Sequence, residues 1–384
     1  MLELSSISIG HAGQRKSCVC KALSVLAAGV IVLAITPGAF ADDDAAPAAA
    51  AQSQGDPTVE SSQSISPVPI FEAGMAYNTF FQGGVAHLHP LLSPVELIPL
   101  GQNWLIESRQ TFEIDLAPEP GEPGYKGDLQ KEVDYLQLDY IANRYMTVTV
   151  GRFLTPFGIY NERLYPVWIR DLQTDPLILP IATGPSGAGT GVMVRGGFDL
   201  THSVELNYAT YFSTLSTYSP LDSDRAAGMR AGIFLPGPRI EFGGSFQHLL
   251  QDDHSNAFGF HVEWQPNSVP LDLRAEYARS HTGSGYWVEP AYRLSQAPVL
   301  RRELRHVQIV GRMQQYLTGV VPDDDLPTAN TRLFEFGVNY YIRDDFRIVS
   351  NYGRQFAPGG GNMNLWTLGI TYRLAVPVGH GEMQ

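Results

Sequence analysis

The sequence predicts an all-β fold, a transmembrane antiparallel up-and-down β-barrel of about sixteen strands. Three observations predict it. Many segments alternate between apolar and polar side chains over the roughly 9–11 residues that a tilted strand needs to cross a bilayer. Short polar turns alternate along the chain with longer connections. Beyond residue 41 the chain has no cysteine, so closed hydrogen bonding between strands, not disulfides, must hold it together.

Residues 1–41 are predicted to be a cleaved signal peptide. The basic stretch QRKSCVCK is followed by the apolar stretch ALSVLAAGVIVLAI and by AFA, a small-residue cleavage site ahead of Asp42. An uncleaved membrane anchor is the alternative, but the apolar run is shorter than the about 20 residues that span a bilayer. We therefore expect export, with both cysteines removed.

The rest of the chain divides into a leader and one domain. Residues 42–68 are rich in Ala, Pro, Ser and acidic residues with little to bury, which predicts a disordered leader. Residues 69–384 contain no linker and are expected to form the barrel. The formal net charge of −13 argues against nucleic acid as a partner.

The two-residue alternation predicts which side chains face outward. In NAFGFHVEW, Phe258 and Phe260 lie on one face, and His261 and Glu263 on the other. The same pattern recurs in PLDLRAEYA, SVELNYATYF, RLFEFGVNYYI and NLWTLGITYRLAV. We expect the apolar faces to contact lipid and the polar faces to line an enclosed bore. A soluble sandwich also alternates, but its strands are shorter, about 5–6 residues.

The strand number depends on the start of the domain. Bacterial single-chain barrels have an even number of strands, with both ends on the periplasmic side. The segments from residue 101 onward account for fourteen strands by themselves. The segment FEAGMAYNTFFQ (71–82) either adds a pair, with a partner hidden in the proline-broken 85–98, or forms an inner plug. We predict sixteen strands, with fourteen as the alternative.

The longest connection, 155–188, is predicted to narrow the pore. It leaves the outer side of the barrel after the hairpin turn at 142–144, and it carries many aromatic residues that would form a large exposed apolar patch in water. Folding it into the lumen would hide that surface, whereas the alternative is a loop packed over the outer rim. The residues expected to form the constriction are Phe157, Tyr160, Glu162, Arg163, Trp168, Arg170 and Asp171, with the four charged ones facing the solute.

Two stretches resemble a known family. GRFLTPFGIYNERLYPVW after the hairpin LQLDYIANRYMTVTV resembles bacterial outer-membrane porins, broadly the group of the phosphate-selective porins O and P. TLGITYRL in the last strand is similar to the C-terminal signal read by the barrel-assembly machinery, through Thr367, Gly369, Tyr372 and Leu374. One departure is that AVPVGHGEMQ follows where such barrels usually end. The resemblance implies a channel in a Gram-negative outer membrane, contact with its lipid and lipopolysaccharide, and a homotrimer as a common assembly.

The predicted lumen lining mixes both signs of charge. The residues expected there are Arg195, Glu205, Arg230, Arg239, Glu241, Glu263, Asp272, Arg274, Glu276, Arg312, Glu335, Arg347 and Arg373. Arginine can bind phosphate or carboxylate through two hydrogen bonds, so a lining with these arginines could select anions such as phosphate. Phosphate-selective porins have lysine-rich pores, whereas only Lys126 and Lys131 remain here beyond the signal peptide. For any one arginine, an ion pair that stiffens the wall is the simpler interpretation.

The sequence therefore predicts a passive diffusion channel for small hydrophilic solutes, with no cofactor and no enzymatic activity. We assign no metal site, because the histidines of HLH (87–89) and the stretch DDH (252–254) lack spaced partners; the acidic run 323–325 could attract calcium. No nucleophile elbow or zinc-protease motif is present. The alternatives are a closed-lumen transporter or ligand-binding barrel, and an exported soluble β-sandwich that binds a ligand.

Overall fold

The computed structural model describes residues 70–377, except 83–84, 120–122, 184–186, 219–220, 252–253, 320–325 and 359–360. The predicted signal peptide, the leader 42–68 and the acidic run 323–325 lie outside the described residues, as does most of the DDH stretch.

The described strands form a closed barrel of sixteen antiparallel strands, which confirms the predicted fold class and strand number. They are β1 Ile70–Gln82, β2 Val85–Leu100, β3 Trp104–Ile114, β6 Leu129–Asn143, β7 Met146–Leu154, β8 Ala188–Thr201, β9 Val204–Thr214, β10 Ala226–Leu235, β11 Ile240–Leu249, β12 Asn256–Trp264, β13 Leu271–Arg279, β14 Gly283–Arg293, β15 Val307–Thr318, β16 Thr331–Arg343, β17 Phe346–Phe356 and β18 Met363–Pro377. Two short strands, β4 Ala117–Pro118 and β5 Tyr125–Lys126, pair in a separate hairpin.

The barrel closes between its first and last strands. β1 pairs with β18 along most of its length, for example Tyr77 opposite Ile370, and with β2 on its other side. β1 and β2 are thus the additional strand pair, and the plug alternative for 71–82 is wrong. Closure leaves the barrel sheet without a free edge, so each of its sixteen strands has a hydrogen-bonded neighbour on both sides.

The connections at the two ends of the barrel differ in length. One end carries the short turns 101–103, 144–145, 202–203, 236–239, 265–270 and 344–345, together with 294–306, which contains a 3₁₀ turn Leu294–Gln296 and a helical turn Arg301–Leu304. Because the strand number is even, both ends of the sheet also lie there. The opposite end, called the mouth below, carries most of the longer connections, 115–128, 155–187, 215–225 and 319–330, together with shorter ones such as 280–282.

The outer wall is apolar, as the alternation predicts. Phe260 is 64% exposed, and Phe258 and Leu368 are about half exposed, although they are large apolar residues. The described strands form one closed sheet with no second sheet packed on this face, which excludes the sandwich alternative. Among the described residues, no helix is long and apolar enough to cross a membrane.

Aromatic side chains cluster near both ends of the outer wall. Near the short turns Phe198 stacks between Tyr145 and Tyr208, with ring centroids 5.5 and 5.6 Å apart. Near the mouth Tyr352 meets Trp366 edge to face at 6.0 Å. Two aromatic belts flanking an apolar band are typical of barrels that sit in a bilayer.

Candidate functional site

The candidate functional site is the connection between β7 and β8, which folds into the barrel. β7 ends at Leu154 and β8 begins at Ala188, so the connection spans 155–187, one residue fewer than predicted. We call it the lumen loop. It contains two short helical turns, Tyr160–Arg163 and Leu179–Thr183. Asn161 Nδ2 donates hydrogen bonds to the carbonyls of Thr155 (3.0 Å) and Gly187 (2.8 Å), which ties the two ends of the loop together.

The loop turns into the barrel at Gly158, whose φ is +62°. The Glu276 carboxylate of β13 accepts hydrogen bonds from the backbone N–H groups of Ile159 (3.2 Å) and Tyr160 (3.3 Å). The Gly158 carbonyl accepts a hydrogen bond from Arg230 of β10 at 3.1 Å. Glu276 thus satisfies the N–H groups that begin the helical turn, which otherwise have no partner inside it.

We expect Gly158→Ala to destabilise the barrel by about 3 kcal/mol, against about 1 kcal/mol for Gly101→Ala. Gly101 also has a positive φ, +68°, but an added Cβ meets nothing within 4 Å. At Gly158 the Cβ would overlap the Glu276 carboxylate and displace both of its backbone hydrogen bonds. Urea unfolding in lipid vesicles, followed by tryptophan fluorescence, compares the two. Equal losses would mean that Glu276 does not hold the turn.

The apolar side of the lumen loop packs on the barrel wall. Phe157, Ile159, Tyr160, Leu164, Ile178 and Ile181 form a buried cluster with wall residues Ala257, Ala278, Trp287 and Tyr316 and with Leu326 of another mouth loop. Three wall glycines make room for loop side chains. An added Cβ would lie 2.5 Å from Phe157 at Gly259, 2.6 Å from Ile178 at Gly285 and 2.6 Å from Leu172 at Gly337.

The first charged part of the loop pairs with one side of the barrel. Glu162 lies 2.7 Å from Arg230 Nη1 and 3.6 Å from Arg195 Nη1. Arg163 lies 2.7 Å from a Glu241 oxygen and 3.1 Å from a Glu263 oxygen. These four wall residues belong to β10, β8, β11 and β12, so the pairs fix the helical turn against neighbouring strands.

The second charged part pairs with the next strands around the barrel, β13, β15 and β17. Asp171 accepts hydrogen bonds from Arg274 of β13 (3.2 Å) and Gln308 of β15 (2.9 Å). Arg347 of β17 donates to the carbonyls of Val167 (3.1 Å) and Arg170. Asp171 is buried, and Arg170 is bonded to Asp175 and to backbone carbonyls. This corrects the expectation that Arg170 and Asp171 face the solute.

Arg312 of β15 is the most enclosed of these anchors. It lies 2.7 Å from Glu335 and 3.6 Å from Glu289, and it donates to the Thr174 carbonyl of the loop at 2.6 Å. The side chains of the arginine and of both glutamates are at most 5% exposed. Such a group of buried charges is stable only while every member keeps its partners.

Aromatic residues hold the part of the loop next to β1, β3 and β6. The Arg109 guanidinium lies over the rings of Tyr165 (4.9 Å) and Trp168 (5.1 Å), and Arg109 pairs with Asp134 at 3.0 Å. The Tyr165 hydroxyl donates to Asp134 (3.3 Å). Burial raises the pKa of Tyr165 above its usual range, so the phenol stays a proton donor.

The other predicted lumen residues are distributed as follows. Asp272 pairs with Arg274, and Glu205 and Arg373 lie on the inner face by register, close to the short turns. Arg239 is a correction: it lies in the turn 236–239 with a φ of +53°, exposed and directed at Gln265 and Asn267. The alternation that places side chains inside ends where the strand ends.

Two residues of the proposed assembly signal lie on the inner face of β18 and two on its outer face. Thr367 is fully buried on the inner face, and Gly369 lies opposite Asn78 of β1. Tyr372 contacts Phe346 edge to face at 6.1 Å on the outer wall, where Leu374 is also exposed. β18 continues to Pro377, so three of the ten residues expected to follow the last strand belong to it.

Sequence reasoning missed several residues that hold the loop, above all Arg109 and Asp134. The signal was present in WLIESRQTFEI, where Glu107, Arg109 and Thr111 alternate with outward residues. The inner-face glycines could be recognised as glycines on polar strand faces, but the loop side chain that each one accommodates could not.

Closed sheet, apolar outer wall and inward-folded loop together define a barrel of the outer-membrane porin fold. The chain is similar to OmpF of Salmonella typhi in complex with daunomycin, with 10% identity, a TM-score of 0.56, and coverage of 80% of this chain and 97% of that one. It is also similar to a loop L8 deletion mutant of OmpT, an outer membrane protein of Vibrio cholerae (10%, TM-score 0.53, 80% and 99%). A third similar structure is OprB of Pseudomonas putida at low pH (8%, TM-score 0.51, 80% and 92%). At these identities the likeness establishes the fold alone.

No protein-family model matches the sequence, and no curated protein matches it.

Proposed function

We propose that this protein is a porin-like channel of a Gram-negative outer membrane, through which small hydrophilic solutes diffuse passively. The observation that carries the proposal is a polar barrel interior narrowed by a loop that is bonded to the wall on several sides. Some charged side chains of that interior still reach solvent, with side-chain exposures of 33% for Arg195, 29% for Arg163 and 52% for Asp175. A water-filled path lined by fixed charges selects by size and charge.

The charge balance of the interior supports a preference for cations rather than for phosphate. Among the described residues, the carboxylates of the lumen loop and of the inner face include Glu107, Glu113, Asp134, Asp139, Glu162, Asp171, Asp175, Glu205, Glu241, Glu263, Asp272, Glu276, Glu289 and Glu335. The arginines are fewer: Arg109, Arg163, Arg170, Arg195, Arg230, Arg274, Arg312, Arg347 and Arg373. An excess of negative charge in a narrow bore concentrates cations there.

We expect the reversal potential in a KCl gradient to report K⁺ permeation roughly two- to tenfold above Cl⁻. The double variant Glu162→Gln/Glu263→Gln should lower this ratio, because it leaves lumen arginines without their carboxylates. Glu119→Gln is the control, since Glu119 pairs with Lys126 in the outer hairpin, with both side chains 54% exposed. Anion preference in the unmodified protein, together with block by phosphate, would replace the cation proposal with the phosphate one.

A second candidate function, a closed-lumen transporter or ligand-binding barrel, is favoured by the number of barrel strands that the lumen loop contacts. The lumen loop has partners on β1, β3, β6, β8 and on every strand from β10 to β17. A planar-bilayer recording separates the two functions, because a closed barrel carries almost no steady current.

The assembly and partners follow from the same proposal. The outward apolar strands suit contact with outer-membrane lipid, lipopolysaccharide and a second copy of the chain. One similar structure, OmpT of Vibrio cholerae in its trimer form, has a TM-score of 0.52 at 10% identity. We propose a homotrimer, insertion by the barrel-assembly machinery through Thr367, Gly369, Tyr372 and Leu374, and export by a cleaved signal peptide. Crosslinking in membranes tests the trimer.

A further inference from the structure

Two histidines and two carboxylates meet on the inner face of the barrel at its mouth. His87 and His89 are two residues apart on β2, so they share a face. His89 lies opposite Asn78, whose side chain contacts Gln173 of the lumen loop, and this contact identifies the shared face as the inner one. Glu113 and Asp115 stand across from them, at the end of β3 and just after it. We call these four residues the mouth cluster.

Backbone hydrogen bonds hold the strand segments of the mouth cluster next to each other. Leu88, between the two histidines, and Leu116, next to Asp115, exchange two backbone hydrogen bonds of 2.9 and 2.8 Å. This bridge continues the β2–β3 pairing beyond Ile114 and holds Asp115 beside both imidazoles. The cluster is accessible, with side-chain exposures of 30% for His87, 21% for His89 and 45% for Asp115.

The distances within the cluster match those between ligands of one metal ion. Asp115 Oδ1 lies 3.1 Å from His87 Nδ1 and 3.5 Å from His89 Nε2. In a tetrahedral zinc site with bonds of about 2.0–2.1 Å, ligand atoms lie about 3.3–3.4 Å apart. One ligand atom from each of these three residues lies within 4.8 Å of the others, so the three side chains are close enough to share one ion after side-chain adjustment.

Glu113 contacts the remaining nitrogen of His89. Its Oε1 lies 3.2 Å from His89 Nδ1, so a proton held on Nδ1 is donated to the carboxylate and Nε2 is left to accept a metal. Ligating histidines usually make such a second hydrogen bond, which sets the tautomer and the ring orientation. The two carboxylates therefore have different roles, Asp115 as a ligand and Glu113 as the group that orients a ligand.

We propose that the mouth cluster binds one divalent transition-metal ion, of the Zn²⁺ or Ni²⁺ type, through His87 Nδ1, His89 Nε2 and the Asp115 carboxylate. Imidazole nitrogens select these ions over Ca²⁺ and Mg²⁺, which prefer oxygen ligands. Three protein ligands leave the fourth coordination position of the ion for water. The site does not depend on the proposed channel function, because it lies in the wall and not in the lumen loop.

Isothermal titration with ZnCl₂ tests the proposal on the full-length barrel in detergent, without a polyhistidine tag and after removal of metal with EDTA. We expect one ion per chain. His87→Gln/His89→Gln should lose at least about 100-fold in affinity, and Glu113→Gln roughly 10–100-fold. Cu²⁺ bound to the unmodified protein should give an electron paramagnetic resonance spectrum with nitrogen couplings, which the double variant loses.

The chain offers a matched control in His248→Gln/His254→Gln. These two rings also stack, at 6.3 Å, but His248 bonds to Asn256. This variant should keep the full affinity. Equal zinc affinity in the unmodified protein and in the His87/His89 variant would overturn the proposal, as would an equal loss in both double variants. Circular dichroism establishes that each variant is folded before it is titrated.

Discussion

Deleting residues 157–182 should raise the single-channel conductance of the barrel severalfold. The deletion removes the buried apolar cluster of the loop and its ion pairs, so water replaces protein across that part of the bore. β7 and β8 remain joined, because Leu154 and Ala188 are paired neighbours and the residual connection is short. Planar-bilayer recording of the purified protein measures the change.

The control deletes 118–125 from the hairpin of β4 and β5, which in the described part of the chain form a two-stranded sheet separate from the barrel sheet. This second deletion shortens a mouth connection and leaves the lumen loop and its wall partners in place, so the conductance should stay the same. If the loop deletion also leaves the conductance unchanged, then the lumen loop does not limit the current. No current in the unmodified protein, followed by current in the deletion variant, would identify a closed barrel and favour the second candidate function.

Arg312→Met should destabilise the barrel by about 3–5 kcal/mol, because it leaves the buried carboxylates of Glu335 and Glu289 without their cation. Arg343→Met is the matched control. Arg343 lies 2.8 Å from Asp345, nearly the same separation, but the arginine side chain is 69% exposed at the end of β16. Such an exposed pair contributes at most about 1 kcal/mol. Urea unfolding in vesicles compares the variants.

A double variant separates lost pairing from a general packing defect. Arg312→Met/Glu335→Gln removes one of the two uncompensated charges, so it should recover part of the stability lost in Arg312→Met. No recovery would indicate that the arginine acts through its stem and not through its charge. The open-channel current of Arg312→Met should also become noisier, because Thr174 of the loop loses its bond to the wall.

Most of the fold prediction rested on the alternation of apolar and polar side chains along each strand. Phe258, Phe260 and Leu368 face outward because a side-chain period of two leaves no other choice once the sheet has closed. The same rule failed at Arg239, which lies in a turn with a left-handed backbone. It also gave no metal site at His87 and His89, because Glu113 and Asp115 lie across a strand pair that the sequence could not align.

The segment that forms the site could be predicted from its residue types, but the wall residues that it contacts could not. An aromatic, charged connection of this length must hide its apolar side chains, so the interpretation of 155–188 followed from solubility alone. Which wall residue each loop side chain meets was not accessible. Glu162 reaches Arg230, and Asp171 reaches Arg274, over separations of 68 and 103 residues along the chain.

The sequence by itself determined the alternating strands, the even barrel and the identity of its longest connection, because these depend on neighbouring residues and on the spacing of turns. Only the tertiary structure decided that Arg170 and Asp171 are enclosed, that wall glycines accommodate Phe157 and Leu172, and that Asp115 stands beside His87. The physical reason is that closing the barrel brings distant strands and the loop into one small volume, where burial and pairing depend on three-dimensional distance and not on position along the chain.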